Sequence, residues 1–161
     1  VLKEGTITFG TQTHPADGNA GLVVTTRERA QELAKEKGIT VRIASFAQAN
    51  AKKGFMAQAV APAARAALEA ARFGVKDVRV KTHNPFAVND LLLARELGID
   101  AASFNDFGSS LVYGHPQGPT GIRGVVELIE ELVLKGGGRG LFVGCAAGAT
   151  AAALCVEVDC R

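Results

Sequence analysis

Three short segments of this 161-residue chain bring reactive side chains to points where predicted strands end or a glycine-rich loop begins. Their central residues are His83, His115 and Cys145, which are separated by 32 and 30 residues. An imidazole exchanges protons near neutral pH, and a thiol becomes a base or a nucleophile when it ionises. Because sites in α/β folds are built where strands end, these segments are the candidates for proton-transfer chemistry.

Each segment also fits a purely structural role when it is taken alone. A histidine in a loop is usually solvated or structural, and a cysteine at a strand end is usually a small buried apolar residue. The glycine-rich loop of residues 114–121 could hold a phosphate at a helix N-terminus. Its sequence, however, matches neither the P-loop of NTPases nor the dinucleotide-binding fingerprint. Only the order and spacing of the three segments together argue for a function.

The elements that must position these residues follow from apolar periodicity and from helix-capping signals. Thr25 with Glu28 forms a capping-box pattern that starts a helix, and Gly98 closes another helical stretch. The predicted strands are 21–25, 41–47, 78–82, 141–143 and 151–158, and the predicted helices run from the capping box to about 37 and over 63–73, 86–97 and 125–134. This alternation predicts an α/β fold with a mixed, mostly parallel five-stranded sheet, helices on both faces and a short antiparallel hairpin at one edge.

Composition narrows the classes of protein and of partner. Apolar residues make up 47% of the chain and the net charge is +2, so a single folded domain is expected and neither nucleic acid nor a membrane is an expected partner. No apolar run reaches the roughly 18 residues of a membrane helix. The chain opens with Val1 and shows no signal peptide, so we expect a trimmed fragment of a longer protein. Three cysteines without zinc-motif spacing favour a reducing, cytoplasmic setting.

Taken together, the motifs resemble those of the thiolase family. Residues 114–121 match the family's Gly-His-Pro-x-Gly-x-(Ser/Thr)-Gly loop, and residues 145–147, thirty positions later, approximate its Cys-x-Gly turn. Residues 83–86 align with its Asn-Glu-Ala-Phe motif. Two positions depart from the family pattern: His83 replaces the usual Asn, as in sterol-carrier-type thiolases, and Ala147 replaces the Gly of Cys-x-Gly. The resemblance covers essentially the whole chain and implies a thiolase-like fold, of which this chain is the C-terminal half of the core.

The resemblance also implies a role for each reactive residue in Claisen condensation or thiolysis of 3-ketoacyl-CoA and acetyl-CoA. His115 would act as the general base that activates a nucleophilic cysteine, and its place before a helix N-terminus favours the neutral imidazole that this role needs. Cys145 would exchange the proton alpha to the thioester, for which a thiol pKa near neutrality is expected. His83 and His115 would form one oxyanion hole, and the N–H of Ala147 would serve the other.

The resemblance further implies how substrate and partners are bound. Thr13 and Phe86 align with positions that contact coenzyme A, whose thioester is a substrate, so no cofactor and no metal are expected. Residues 1–18 correspond to the segment that leaves the family's loop region, and residues 19–161 correspond to the C-terminal core domain. Cys155 lies within a predicted strand and Cys160 lies next to the C-terminus, so neither fits the nucleophile. The missing N-terminal half is the expected partner, within a complete enzyme that forms a homo-oligomer.

Two other interpretations remain open at this stage. A ketoacyl synthase shares the fold and uses two histidines, which His83 and His115 could represent, but such enzymes lack the late catalytic cysteine that Cys145 would supply. A non-catalytic CoA-binding subunit of a heteromeric thiolase-like complex is the second. The isolated chain is expected to have no thiolase activity, because the nucleophilic cysteine is not in it.

Overall fold

The protein is described from a computed structural model, which covers residues 4–161. Its centre is one four-stranded sheet in the order β1-β4-β3-β2. The strands are β1 (Ile39–Asn50), β2 (Val78–His83), β3 (Gly137–Ala146) and β4 (Thr150–Cys160). β4 runs antiparallel to both β1 and β3, and only β2 and β3 are parallel. The predicted mixed sheet is confirmed, whereas the prediction that it is mostly parallel is wrong.

One of the five predicted strands, residues 21–25, is not a strand in the structure. Its apolar residues were expected to be buried, but Val23 and Val24 are 81% and 71% exposed. The segment pairs with none of the four strands of residues 4–161. A run of apolar residues predicts burial, but a strand also needs a neighbouring strand for its backbone hydrogen bonds, and the sheet offers none here.

Five α-helices lie within residues 4–161. They are α1 (Arg27–Leu33), α2 (Val60–Ala71), α3 (Ala87–Leu97), α4 (Ser110–Tyr113) and α5 (Thr120–Leu134). α2 packs on β1 and β4, and α3 packs on α2; α5 packs on β3 and β2. The predicted helices are thereby confirmed, with α4 added and α5 beginning five residues before its predicted start.

Strand alternation explains why helices cover both faces. On β3, Leu141 and Val143 join the core under α2 and α3, whereas Phe142 joins the core under α5. Successive side chains of a strand point to opposite faces, so a central strand with apolar residues at every position needs cover on both sides. The helices on both faces follow from this continuous run of apolar residues.

Local signals set two of the helix ends. Thr26 caps α1 by accepting a hydrogen bond from the Arg29 N–H, one residue later than the predicted cap at Thr25. Gly98 ends α3 in the left-handed conformation at φ 68°, as the sequence predicts. No helix among the described residues has the length and apolar character needed to cross a membrane.

Candidate active site

The parallel pairing of β2 and β3 brings two of the predicted site residues to the same edge of the sheet. His83 is the last residue of β2 and pairs in register with Gly144, the neighbour of Cys145 on β3. The two strands run in the same direction, so both residues lie at carboxyl ends. A side chain at position 144 would contact His83, because a Cβ built there would lie 3.0 Å from the His83 Cβ. Glycine at this position therefore leaves room for the imidazole.

His115 joins this edge from the loop between α4 and α5. Its ring centroid lies 4.4 Å from that of His83, with the two rings tilted by 35°. Its Nδ1 is hydrogen-bonded to the hydroxyl of Thr120, the first residue of α5, at 2.8 Å. On the other side, its backbone N–H donates to the His14 carbonyl at 2.8 Å. The loop is thus held between the N-terminal segment and α5, and the two predicted histidines form a contacting pair.

The pKa of each imidazole is lowered, which favours the neutral form. Burial, the neighbouring His115 and the Arg123 guanidinium lower the pKa of His83 to about 4. Burial, followed by the charge of Arg123, lowers the pKa of His115 as well. A protonated imidazole at either position would lose hydration and face a nearby cation. The lowered pKa at His115 favours the neutral imidazole expected there, through burial and Arg123 where the sequence had pointed to the helix N-terminus. Its role as a base stays a prediction.

Cys145 lies buried under the same edge, 7% exposed, and receives a hydrogen bond from Asn89 Nδ2 at 3.3 Å. Burial raises the pKa of the Cys145 thiol above its ordinary value, and the Asp90 charge adds to this, while the Asn89 hydrogen bond lowers it. The sequence-based expectation of a thiol pKa near neutrality is not met in this structure. A buried thiolate loses solvation, and one amide donor only partly replaces it.

The two residues predicted to contact coenzyme A lie where the N-terminal segment crosses the site. Thr13 donates its backbone N–H to the Pro85 carbonyl at 2.8 Å and its hydroxyl to the Ser110 carbonyl at 2.5 Å. Phe86 forms an isolated β-bridge with Gln12 and is the residue immediately before α3. The segment around Thr13 is therefore tied to both motif loops, and the Thr13 hydroxyl already has a partner within the protein.

Ala147 occupies the exposed turn between β3 and β4. The left-handed residues of this turn are Gly148, at φ 89°, and Ala149, at φ 61°, and Ala147 does not share that conformation. The departure from glycine at position 147 therefore brings no backbone strain. Its exposure leaves the role of its N–H as an oxyanion donor a prediction.

Sequence reasoning did not single out several polar residues that line or support this edge: Ser110, Arg123, Asn89 and Asp90. Asp90 accepts hydrogen bonds from the Thr82 hydroxyl and from the amides of Asn84 and Asn105. Ser110, Arg123 and the Asn89–Asp90 pair come from three different helices, so no spacing rule could have grouped them. No group of three or more His, Cys, Asp or Glu among residues 4–161 could hold a metal ion.

Comparison with known proteins identifies the family. A family model described as "Thiolase, C-terminal domain" matches residues 37–158. The chain belongs to the thiolase family. It is 34% identical to an acetyl-CoA acetyltransferase of Paracoccus denitrificans, over 96% of this chain and 39% of that protein. It is 33% identical to a 3-ketoacyl-CoA thiolase of Pseudoalteromonas atlantica, over 98% of this chain and 40% of that protein.

Solved structures agree with this assignment. The crystal structure of the Bacillus anthracis acetyl-CoA acetyltransferase superposes with a TM-score of 0.88 and 33% identity, covering 98% of this thiolase chain and 40% of that protein. The human mitochondrial 3-ketoacyl-CoA thiolase superposes with a TM-score of 0.69 and 28% identity, covering 73% and 30%. The predicted thiolase fold is confirmed. The chain spans about 40% of the length of the curated relatives it matches.

Proposed function

We propose that this chain is the part of a thiolase that supplies the acid–base residues for Claisen condensation or thiolysis of 3-ketoacyl-CoA. One observation carries the proposal: the imidazoles of His83 and His115 stand in contact, with ring centroids 4.4 Å apart, at the edge of the sheet where the strand that holds the buried Cys145 ends. Thioester chemistry of this kind needs a proton carrier and hydrogen-bond donors for a developing oxyanion. His83, His115 and Cys145 are groups of these types.

In the condensation direction, the acyl group is held as a thioester on a cysteine outside this chain. The thiolate of Cys145 removes the proton alpha to the thioester of acetyl-CoA. The resulting carbanion attacks the acyl carbonyl, so that a carbon–carbon bond forms, the bond to the nucleophilic sulfur breaks and that sulfur leaves as a thiolate. Thiolysis runs the same steps backwards, with the Cys145 thiol as the proton donor. A raised thiol pKa suits that donor, since the resting group keeps its proton.

The two histidines have separate tasks in this proposal. His115 accepts the proton of the nucleophilic thiol before acylation, which requires the neutral imidazole described above. His83, with His115, donates a hydrogen bond to the thioester oxygen that becomes negative, and the N–H of Ala147 serves the second oxyanion. Thr13 and Phe86 lie beside these groups and contact the coenzyme A arm.

The nucleophile itself is proposed to come from the remaining part of the enzyme. Cys155 is fully buried within β4. Cys160 pairs with Ile39, whereas Cys145 pairs with Ala151, so Cys160 lies at the opposite end of the sheet from the site. Neither can reach a substrate at His115. The chain spans about 40% of the length of its relatives, as expected for the C-terminal half of a thiolase. Its three free cysteines suit a cytoplasmic enzyme.

Activity measurements on the isolated chain provide the first test. We expect no thiolysis of acetoacetyl-CoA above the rate of a Cys145→Ala control. Thiolysis by the isolated chain that disappears in that control would show that the chain needs no external nucleophile.

The second test uses the complete enzyme, with acylation and condensation measured separately. His115→Ala should lower acylation by about 10²–10⁴-fold, the usual contribution of a general base. Cys145→Ala should leave acylation intact and block condensation. His14→Gln is the matched control, because it removes an exposed imidazole from the N-terminal segment. Normal condensation by Cys145→Ala would overturn the assignment of the base.

A further inference from the structure

A series of three charged side chains, Lys81, Glu127 and Arg123, links β2 and α5 next to the two histidines. Lys81 of β2 is 1% exposed; its ammonium lies 2.8 Å from Glu127 Oε2 and donates to the Gly108 carbonyl at 2.7 Å. Glu127 Oε1 in turn lies 3.2 Å from Nε of Arg123, one turn earlier on α5. A buried ammonium needs a counter-charge, so Lys81 holds Glu127, and Glu127 holds the guanidinium in place.

The free end of the Arg123 guanidinium points at the loop that carries His115 and at the Ser110 hydroxyl. Its Nη2 donates to the carbonyl of Gly114, the residue before His115, at 3.1 Å, and makes a longer contact to the Ser110 hydroxyl at 3.5 Å. The Ser110 hydroxyl lies 2.8 Å from Nδ1 of His83. Arg123 therefore reaches His83 through a single intervening hydroxyl.

The direction of these hydrogen bonds follows from the chemistry of the groups. A guanidinium only donates, so the Ser110 oxygen accepts from Arg123. The Ser110 hydroxyl keeps one proton to donate, and among the described residues its other hydrogen-bond partner is His83 Nδ1, which we take as the acceptor. A neutral imidazole that accepts at Nδ1 carries its proton at Nε2.

We propose that Ser110 and Arg123 are positioning residues that fix His83 as the Nε2–H tautomer, so that its outer nitrogen donates a hydrogen bond and cannot act as a base. The catalytic importance of this tautomer rests on the proposed thiolase function, in which the His83 Nε2–H donates a hydrogen bond to the oxyanion. It also separates the tasks of the two imidazoles. The Thr120 hydroxyl bonds the His115 ring, but no guanidinium among the described residues donates to that hydroxyl. His115 therefore lacks the arrangement that fixes the tautomer of His83.

The charged and titratable groups around His83 are few. His115 and Arg123 are the charges that act on it. Glu127 pairs with Arg123, and Lys81 pairs with Glu127. Asp90 of α3 lies beside Cys145. His14 of the N-terminal segment lies beside Gly114. Of these groups, Arg123 is the one joined to His83 through a hydroxyl, which makes it the group to perturb.

The test is a nitrogen NMR measurement on the 161-residue chain, labelled with ¹⁵N at histidine. The chain has only three histidines, and His14→Gln leaves His83 and His115. Above pH 7 we expect His83 Nδ1 at the chemical shift of an unprotonated nitrogen and Nε2 at that of a protonated one. In Ser110→Ala both shifts should move toward the average of the two tautomers. Ser110→Thr, which keeps the hydroxyl, should retain the wild-type pattern.

Arg123→Met tests the second link, with Arg123→Lys as the control that keeps the charge. Loss of the guanidinium should mix the tautomers of His83 and shift its titration midpoint upward, because a nearby cation no longer opposes protonation. A wild-type His83 protonated at Nδ1, or a Ser110→Ala spectrum identical to wild type, would overturn the inference. The wild-type spectrum decides even if a variant fails to fold. None of these signals depends on turnover, so a failed activity test of the thiolase proposal remains a separate result.

Discussion

Replacing Gly124 by Ala should loosen the packing that places α5 under the site. Gly124 lies in α5 and faces Phe142 of β3, and a Cβ built at Gly124 would lie 2.4 Å from the Phe142 ring. Carbon atoms in contact normally stay about 3.5–4.0 Å apart, so helix and ring would have to separate by about 1 Å. The same helix carries Thr120 and Arg123, which hold His115 and support His83.

Two effects of opposite sign compete in this substitution. Alanine is favoured over glycine inside a helix by about 0.5–1 kcal/mol. Overpacking a filled core costs about 1–3 kcal/mol, and Phe142 is buried in that core. The cost should therefore exceed the gain at Gly124. Gly121 is the matched control on the same helix, since a Cβ built there meets nothing within 4 Å. Gly121→Ala should be neutral or stabilising by up to about 1 kcal/mol.

Urea unfolding followed by far-ultraviolet circular dichroism measures the contrast. With a slope of about 2 kcal/mol per M, a difference of about 1–3 kcal/mol in the free energy of unfolding separates the two midpoints by about 0.5–1.5 M. Phe142→Leu should relieve the clash, so Gly124→Ala should cost less in that background than alone. If Gly124→Ala is as stable as Gly121→Ala, α5 is not packed against Phe142 as closely as described.

Three further predictions concern charge and titration. The pKa of His83 is about 4 in the folded state and 6.5 in the unfolded state. Between these pH values the unfolded chain binds more protons than the folded chain. The free energy of unfolding therefore falls as the pH drops from 6.5 to 4, by up to about 3 kcal/mol. His83→Gln should remove this share of the pH dependence in urea unfolding measured from pH 7 to 4; an unchanged slope would contradict it. Asn89→Ala should raise the thiol pKa of Cys145 further, seen as a higher pH midpoint of its alkylation rate, because the amide donor is lost; a lower midpoint would refute the role of Asn89. Glu127→Gln should destabilise the fold by about 2 kcal/mol or more, because the buried Lys81 loses its counter-charge; a thermal or urea midpoint equal to wild type would argue against that pairing.

Much of the fold was predictable because local signals agreed with the final packing. The four predicted helices and four of the five predicted strands occur close to where periodicity placed them. The start of β3 was hidden because residues 137–140 are three glycines and an arginine, which have low strand propensity. Pairing with β4 on one side and β2 on the other overrides that propensity. The same pairing makes the last two strands long and central, whereas a short edge hairpin was expected.

The reactive residues were found from motif order, but their chemical state was not. His83, His115 and Cys145 stand out because two imidazoles and a thiol lie in motifs whose order and spacing resemble those of one family. Their pKa values depend on burial and on groups from other elements, such as Arg123 and Asn89. A single imidazole or thiol in a sequence carries no information about how much water surrounds it. The expected near-neutral thiol at Cys145 failed for this reason.

By itself, the sequence determined the α/β class, the family and the identity of the three reactive residues, because apolar period, capping residues and motif spacing are properties of the chain read in order. The tertiary structure alone decided that β2 and β3 run parallel side by side, and so that His83 and Cys145 lie at the same edge of the sheet. It also decided which hydroxyl faces each imidazole and which guanidinium stands behind it. Such contacts join residues far apart in the chain, and their geometry arises only when helices and sheet pack together.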